Sequence, residues 1–524
     1  NESVTVTDLD VLASALKTFV TADGAGATRE TSGAITVISS GITGSYTDVN
    51  DMLTISAAAN VNLTGLGAAN VTLTGTPTVT NVNTIAGKTT GTVTATLAAA
   101  ALSTFATLAT DPQALTISVN DASLAAGALN TLDGKTTGTV TVTGGSTVVG
   151  SATDITTAYA SSGISGLSDS AAITVTGAPT ATQINSVANL TSGQVNATVV
   201  GQMSDLLTIT ETTNSLTLSV TDAVISATDL VALKAKTTGT VTVPADATIS
   251  GNFADVIAAL GTAGINGLAA VGTTITDAIT GAQVKQIVDL ANANGTITAT
   301  ISSQYYTVDA GNTNSGLDQI VAANRAGAYT INLAGTTAQV LNADGTVATA
   351  EVTTVTEANL TALDLLTTVD IAVTSNVSGL TGTAARIANL KTLLLNAGLG
   401  ANGLADPTIT GLGAVPITVT GGAISVADGN ILAAATTGVV TTALTNGALS
   451  TFTQTVGANV VPLIASGNAF TFSITDNGTL TAAQTSQIAA LVAANNAGTA
   501  LITIDPADNS CLLYTSPSPR DEKV

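Results

Sequence analysis

One seven-residue motif recurs through this chain and constrains its fold more than any other feature. The sequence KTTGTVT occupies residues 88–94, 135–141 and 236–242. Looser copies of the same turn-and-strand pattern occupy residues 191–198, 294–300, 326–332, 436–442 and 496–503. The leading glycines of the first five copies are separated by 47, 55, 46 and 56 residues. Self-similarity at this period predicts a repeat architecture, in which each unit packs mainly on its sequence neighbours.

A second recurring pattern alternates apolar and hydroxyl-bearing residues. Residues 115–121 read LTISVND, and residues 216–222 read LTLSVTD. Strict alternation of this kind predicts a half-buried strand whose apolar side faces a core. Short stretches with helical spacing follow such strands, for example at residues 283–290 and 481–491. A strand that returns to the same sheet through a helix forms a parallel crossover, which is normally right-handed.

These patterns predict an α/β repeat fold, a right-handed solenoid of parallel β-strands with a short helix in each coil. Two alternatives remain open, a β-helix and a series of tandem β-rich domains. We expect the strands to stack into one continuous sheet. Its apolar face is predicted to consist of Val140, Val142, Ile173, Val175, Leu216, Leu218 and Val220.

The repeat array is predicted to cover residues 1–505, with about 47–56 residues in each double unit and an irregular stretch near residues 301–350. Residues 506–524 form a tail that does not fit the repeat and contains Cys511, the only cysteine. From Cys511 the tail reads CLLYTSPSPRD, which we interpret as the translation of a sequencing adaptor. The alternative is a genuine disordered terminus.

The composition excludes several classes of function. The 524 residues include no His and no Trp, and only 2% are aromatic. A triad that uses His as its base is therefore impossible, as is a zinc site built from His and Cys. The net charge of −22 disfavours nucleic acid as a partner, because an acidic surface repels phosphates. No apolar run reaches the ~18 residues of a transmembrane helix. We predict that the protein is not an enzyme.

Calcium is the one cofactor that the sequence leaves open. Four aspartates recur directly after strands, and stacked coils could bring their carboxylates together as oxygen ligands for Ca²⁺. These candidate metal ligands are Asp121, Asp222, Asp277 and Asp476. The alternative is that each aspartate closes a turn, since Gly177 and Gly421 occupy the equivalent position in other copies. A position that accepts Asp or Gly favours the turn interpretation.

Rows of threonines on the outward side of the strands suggest a second binding surface. Thr139, Thr141 and Thr143 alternate with valines, as do Thr240 and Thr242. A flat threonine array of this kind is typical of ice-binding solenoids, and such a face could also bind glycans. The alternative is that threonine is present for its β-propensity on a solvated face.

With the motifs KTTGTVTV, LNTLDGKTTG and AYASSGISGL, the chain resembles the very long β-strand-repeat surface proteins of bacteria, including marine cyanobacteria. The resemblance covers nearly all of residues 1–505. It implies an exported, extracellular protein at the cell surface that acts as a stalk, adhesin or surface-layer-like coat. The partners it implies are other surface proteins, neighbouring copies or glycans. It supplies no catalytic residue.

Overall fold

The computed structural model describes most of the repeat array. The described residues are 4–5, 35–36, 41–56, 63–109, 113–144, 147–291, 295–308, 316–341, 347–395, 409–476, 480–495 and 502–504. The predicted tail at residues 506–524, with Cys511, lies outside them. The chain divides into two compact units. The first comprises residues 1–222, 229–243 and 264–266, and the second comprises residues 223–228, 244–263 and 267–524.

The first unit contains two seven-stranded parallel sheets, with strands numbered here in chain order. In spatial order, the first sheet consists of β1 (Val4–Thr5), β3 (Ile42–Gly44), β5 (Val71–Leu73), β6 (Val93–Thr96), β7 (Ala114–Val119), β9 (Val140–Val142) and β11 (Ile164–Ser165). The second consists of β18 (Ile265–Asn266), β16 (Val241–Thr242), β14 (Ser215–Val220), β13 (Val195–Gly201), β12 (Ala172–Val175), β10 (Thr147–Gly150) and β8 (Ser123–Ala125).

The second unit contains two more parallel sheets. One has the order β15 (Val224–Ser226), β17 (Thr248–Gly251), β19 (Gly272–Ile279), β20 (Ile297–Ile301), β22 (Gly327–Leu333), β27 (Ile371–Val373) and β29 (Ile409–Thr410). The other has the order β26 (Thr354–Thr356), β28 (Gly379–Thr383), β30 (Ile417–Ile424), β31 (Val440–Leu444), β34 (Ala469–Ile474) and β35 (Ile502–Ile504).

Short α-helices connect these strands, together with 3-10 turns such as Leu102–Phe105. The helices are α1 (Tyr46–Ser56), α2 (Val79–Ala86), α3 (Ala126–Asp133), α4 (Ala152–Ala160), α5 (Ala181–Ala188), α6 (Met203–Leu206), α7 (Ala227–Lys234), α8 (Phe253–Gly261), α9 (Gly281–Ala291), α10 (Asp318–Ala323), α11 (Glu357–Asp364), α12 (Ile387–Leu394), α13 (Val426–Ala435), α14 (Leu449–Phe452) and α15 (Ala482–Ala494).

Neighbouring strands in each large sheet lie close together in sequence. Val140 pairs with Ile164, and Val241 pairs with Ile265, each 24 residues further on. The prediction of an α/β fold with parallel strands and short helices is therefore confirmed. The prediction of one continuous sheet is wrong, because the strands of the described residues form four large sheets. Several coils contain two strands separated by a bend, such as β7 and β8, and the second strand belongs to another sheet.

The core is formed by the apolar side of the strands and one side of each helix. All seven residues predicted to line it are buried, each exposing 5% or less of its surface. Burying such a side chain stabilises the fold by about 1.5–3 kcal/mol. In α5, Ile184 and Val187 are fully buried. Thr180 caps this helix, because its hydroxyl oxygen accepts a hydrogen bond from the backbone N–H of Gln183. Thr481 caps α15 in the same way, with the backbone N–H of Gln484 as the donor.

Among the described residues, four small two-stranded sheets lie outside the large sheets. Two are parallel, β2 (Ile35–Thr36) with β4 (Leu63–Thr64), and β21 (Tyr305–Val308) with β23 (Gly335–Thr337). Two are antiparallel, β24 (Val340–Leu341) with β25 (Val347–Thr349), and β32 (Thr453–Val456) with β33 (Asn459–Pro462). Two of the four lie in the stretch near residues 301–350.

Replacing Val241 by Asp tests whether coils depend only on their neighbours. Val241 is fully buried, so Val241→Asp would bury an unpaired carboxylate at a cost of several kcal/mol. We expect faster hydrogen exchange, measured by mass spectrometry, at residues 215–266, and unchanged protection in β28, β30 and β31. Thr242→Asp is the control, because Thr242 is only partly buried. Uniform loss of protection along the chain would contradict a stack of locally stabilised coils.

Candidate functional site

Each of the four aspartates proposed as metal ligands accepts a hydrogen bond from the first backbone N–H of a helical turn earlier in the chain. Asp222 Oδ2 accepts from Met203 N at 2.6 Å. Asp121 accepts in the same way from Leu102 N at 2.6 Å, Asp277 from Phe253 N at 2.8 Å, and Asp476 from Leu449 N. The first N–H groups of a helix have no partner within the helix, and its dipole favours a negative charge there. The aspartates therefore cap the helical turn of a neighbouring coil.

The structure does not gather these carboxylates into one metal centre. The capped residue precedes its aspartate by 19 residues at Asp121 and Asp222, by 24 at Asp277 and by 27 at Asp476. Across the part of the chain that the structure describes, no three Asp, Glu or Cys side chains form a group that could hold a metal ion. Calcium binding by these residues stays a hypothesis.

The TTG segment of the recurring motif forms a hydrogen-bonded bracket between coils. Thr237 is 4% exposed, and its Oγ1 donates to the carbonyl of Leu216 at 2.7 Å. The same oxygen accepts from the N–H groups of Gly239 at 2.9 Å and Leu216 at 2.8 Å. One side chain thus joins its own turn to the start of β14 in the preceding coil.

The bracket recurs in four other copies of the motif. A buried or half-buried threonine accepts from the N–H two residues later and donates to a carbonyl 20 or 21 residues earlier. The donor-to-carbonyl pairs are Thr89 with Ala69 (2.7 Å), Thr136 with Leu115 (2.9 Å), Thr191 with Ala171 (2.6 Å) and Thr436 with Val415 (2.8 Å). The corresponding amide donors are Gly91, Gly138, Gly193 and Gly438.

The glycine of the motif is required by the close approach of two coils. A Cβ on Gly239 would lie 2.3 Å from the carbonyl oxygen of Leu216, and one on Gly138 would lie 2.2 Å from that of Leu115. Both distances are far shorter than any contact a real Cβ makes, and the opposing atom is backbone. Glycine therefore allows the bracket to close.

Helix asparagines form a second link between coils that the sequence analysis missed. Asn185 of α5 donates from Nδ2 to the carbonyl of Thr208 at 2.9 Å and accepts at Oδ1 from Thr210 N at 3.1 Å. Asn83 makes the same pair of bonds with Thr107 O and Ala109 N. A signal was present, since residues 82–85 and 184–187 share the order apolar, Asn, Thr or Ser, apolar.

Two lysines of the motif, Lys88 and Lys135, also bond to neighbouring coils. Lys135 Nζ donates to the carbonyls of Ala106 and Leu108, both at 2.8 Å. Lys88 Nζ donates to Asn50 Oδ1 at 2.6 Å. An open groove of about 470 Å³ lies beside the Lys88 turn, and backbone and threonine groups form much of its lining. Lys88 is the lysine in this lining, and its ammonium group is already bonded to Asn50 of α1.

Two charge pairs in the second unit join residues far apart in sequence, whereas the pair Lys285–Asp289 lies within α9. Arg386 donates to both oxygens of the buried Glu357 carboxylate, at 2.6 and 2.9 Å, and these hydrogen bonds raise the pKa of Arg386. A hydrogen bond from Lys391, with a second from Ser425, lowers the pKa of Asp428. Both pairs join residues from neighbouring coils, so they serve stacking in the same way as the brackets.

The outward threonines do not form an unbroken array around Thr141 and Thr242. Across neighbouring strands, the residues paired with Thr141 and with Thr242 are not threonines. Along the pairing register, Thr141 lies between Ser118 and Ser165. Thr242 lies between Ser219 and Asn266. Thr139 and Thr143 are exposed, whereas Thr141, Thr240 and Thr242 are partly buried. Whether this face binds ice or glycan stays a prediction.

Comparisons with known protein families, with curated proteins and with solved structures found no match. Within the described residues, no helix is both long and apolar enough to cross a bilayer. The class of protein is therefore defined by the fold and its contacts alone. It is an α/β repeat protein whose polar side chains bond one coil to the next.

Thr237 allows a direct test of the bracket. Thr237→Val keeps the side-chain volume but leaves buried N–H groups unpaired, at a cost of about 1–3 kcal/mol. Thr237→Ser loses a methyl group but keeps the hydroxyl. We expect urea unfolding to show the valine variant as the less stable of the two. The reverse order would mean that packing at this position matters more than the hydrogen bonds.

Asp222 distinguishes a helix cap from a calcium ligand. Asp222→Ala removes the acceptor and should cost about 1 kcal/mol, whereas Asp222→Asn keeps an oxygen and should be nearly neutral. We expect the melting temperature of Asp222→Ala to lie below that of Asp222→Asn, both in calcium chloride and in EDTA. A rise in melting temperature that needs calcium and disappears in both variants would instead support a calcium site.

Proposed function

We propose that this chain is the structural repeat region of an exported bacterial surface protein, acting as a stalk, adhesin or surface-layer-like coat without catalysis. The proposed architecture is a right-handed solenoid of parallel strands with a short helix in each coil. The proposed location is the cell surface, and the proposed partners are other surface proteins, neighbouring copies or glycans.

The observation that carries this proposal is the use of polar side chains in contacts between coils. Brackets from Thr89 to Thr436, the aspartate caps and the helix asparagines all bond to coils nearby in sequence. Such a chain can be lengthened by adding coils without redesigning a central core. Length and repetition suit a stalk or coat better than they suit a catalytic pocket.

The composition and the motif resemblance add support. The TTG brackets and the threonine-rich strands belong to the motifs by which the chain resembles β-strand-repeat surface proteins. The net charge of −22 disfavours non-specific aggregation, so contacts between copies would have to be specific ones. With 2% aromatic residues, the chain has few side chains for stacking on sugar rings or bases.

Protease treatment of intact cells tests the proposed location. In cells that produce the natural protein, externally added proteinase K should remove it while a cytoplasmic marker enzyme survives. Lysed cells, in which both proteins are cleaved, provide the control for protease access. A protein that is protected in intact cells and cleaved only after lysis would contradict the proposal.

A further inference from the structure

The first sheet presents threonines in two adjacent columns on the face opposite its core. Its strands alternate apolar residues with threonines, so the threonines on one strand are two positions apart. Strands β5, β6 and β7 pair in succession without a register shift. Thr72 pairs with Thr94, and Thr96 pairs with Thr116. Equivalent threonines therefore stack from one coil to the next.

The same register extends both columns to the flanking strands. The pairing of Ile117 with Val140 aligns the residues before them, Thr116 and Thr139. By the same reasoning, the second column consists of Thr74, Thr96, Thr116 and Thr139. The first column consists of Thr43, Thr72 and Thr94. We call these seven residues the threonine face.

The hydroxyl groups of the threonine face are open to solvent. Thr43 is partly buried, and the other six threonines are exposed. None of those six hydroxyls bonds to another described residue, whereas the hydroxyls of Thr89 and Thr136 are occupied in brackets. Stacking between coils therefore explains the bracket threonines and leaves the threonine face without a structural task beyond its β-propensity.

The core holds the threonine face in fixed positions. The apolar residues that alternate with its threonines expose at most 1% of their surface at Val71, Val93, Leu115 and Val140. Threonine is also stiff at χ1, because its Cβ is branched. Each hydroxyl and methyl group is therefore placed by the sheet before any ligand arrives, which lowers the entropic cost of binding.

The spacing of the threonine face identifies the kind of ligand. Neighbouring strands lie about 4.8 Å apart, and residues two positions apart on one strand are separated by about 6.7 Å. Both distances are close to the repeats of water oxygens on the prism face of ice. A crystal surface repeats in two directions, as this face does, whereas a small soluble ligand needs no such repetition. Sugars usually stack on aromatic rings, and residues 71–74, 93–97, 114–119 and 139–142 include none.

We propose that the threonine face binds ice. Its methyl and hydroxyl groups hold water molecules at positions that match the crystal, and this water layer joins the protein to the ice surface. The columns that contain Thr141 and Thr242 are interrupted and are not part of this site. The inference concerns a ligand of the folded chain, so it does not depend on the proposed surface location.

Slow growth of ice from a solution of the full chain tests the proposal, because proteins that bind ice enter the solid and others stay in the liquid. The wild type should be enriched in the ice. Thr96→Lys places a long charged side chain in the middle of the face and should abolish this enrichment. Its control is Thr198→Lys, which changes an exposed threonine of the second sheet whose neighbours along the strand are Asn196 and Val200.

Both variants should melt at the temperature of the wild type, since each replaces an exposed side chain. The control variant should enter the ice as the wild type does. A wild type that is excluded from the ice overturns the proposal. Equal enrichment of Thr96→Lys and the wild type, or equal loss in both variants, would also contradict the assignment to this face.

The crystal plane that is bound tests the spacing argument separately. The full chain can be labelled with a fluorescent dye at Cys511, its only cysteine, and grown into a single crystal of ice. Fluorescence should appear on the prism planes for the wild type and for Thr198→Lys, and should be absent for Thr96→Lys. Fluorescence confined to the basal plane would mean that the spacing of the threonine columns does not select the ligand.

Discussion

The hydrogen bonds of one buried threonine hydroxyl are the interaction on which the stacking of coils depends. Many strands are only two to four residues long, as β16 and β9 illustrate, and strands this short have little stability alone. The hydroxyl of Thr237 joins its own turn to both backbone groups of Leu216 in the preceding coil. Gly239 makes this possible because a side chain there would collide with the Leu216 carbonyl. A threonine and a glycine close another turn in the same way at Thr136 and Gly138.

Contacts of this kind make stability a property of neighbouring coils. The aspartate caps, the helix asparagines and the lysine contacts add to the threonine bracket and act over the same short sequence distances. With few charges and few aromatic rings, the chain relies on hydroxyl and amide groups to satisfy backbone atoms between coils. Polar residues that suggest chemistry when the sequence is read alone are largely occupied in stacking.

Departures from the repeat are the features that stacking between coils does not explain. A residue that recurs in several coils is explained by a contact that those coils share, as Thr136 and Thr237 are. The hairpin after α14 is different, because neighbouring coils do not require it and its tip remains exposed.

Much of the fold was predictable from local patterns. Alternation of apolar and hydroxyl-bearing residues correctly indicated strands with Val140 and Leu216 inward, because period-two alternation depends only on the strand itself. The parallel pairing followed from strands alternating with helices. The division into four sheets was not predictable, because it depends on how each coil bends between its two strands.

The candidate site, like the fold, was predictable from the sequence only in part. The sequence by itself determined that Asp222 and its counterparts follow strands and that a TTG turn recurs. Only the tertiary structure decided that Asp222 caps Met203 of a preceding coil, and that the first threonine of each TTG is buried against another coil. The physical reason is that a hydrogen-bond partner 19 to 27 residues away is selected by coil stacking, which local sequence does not encode.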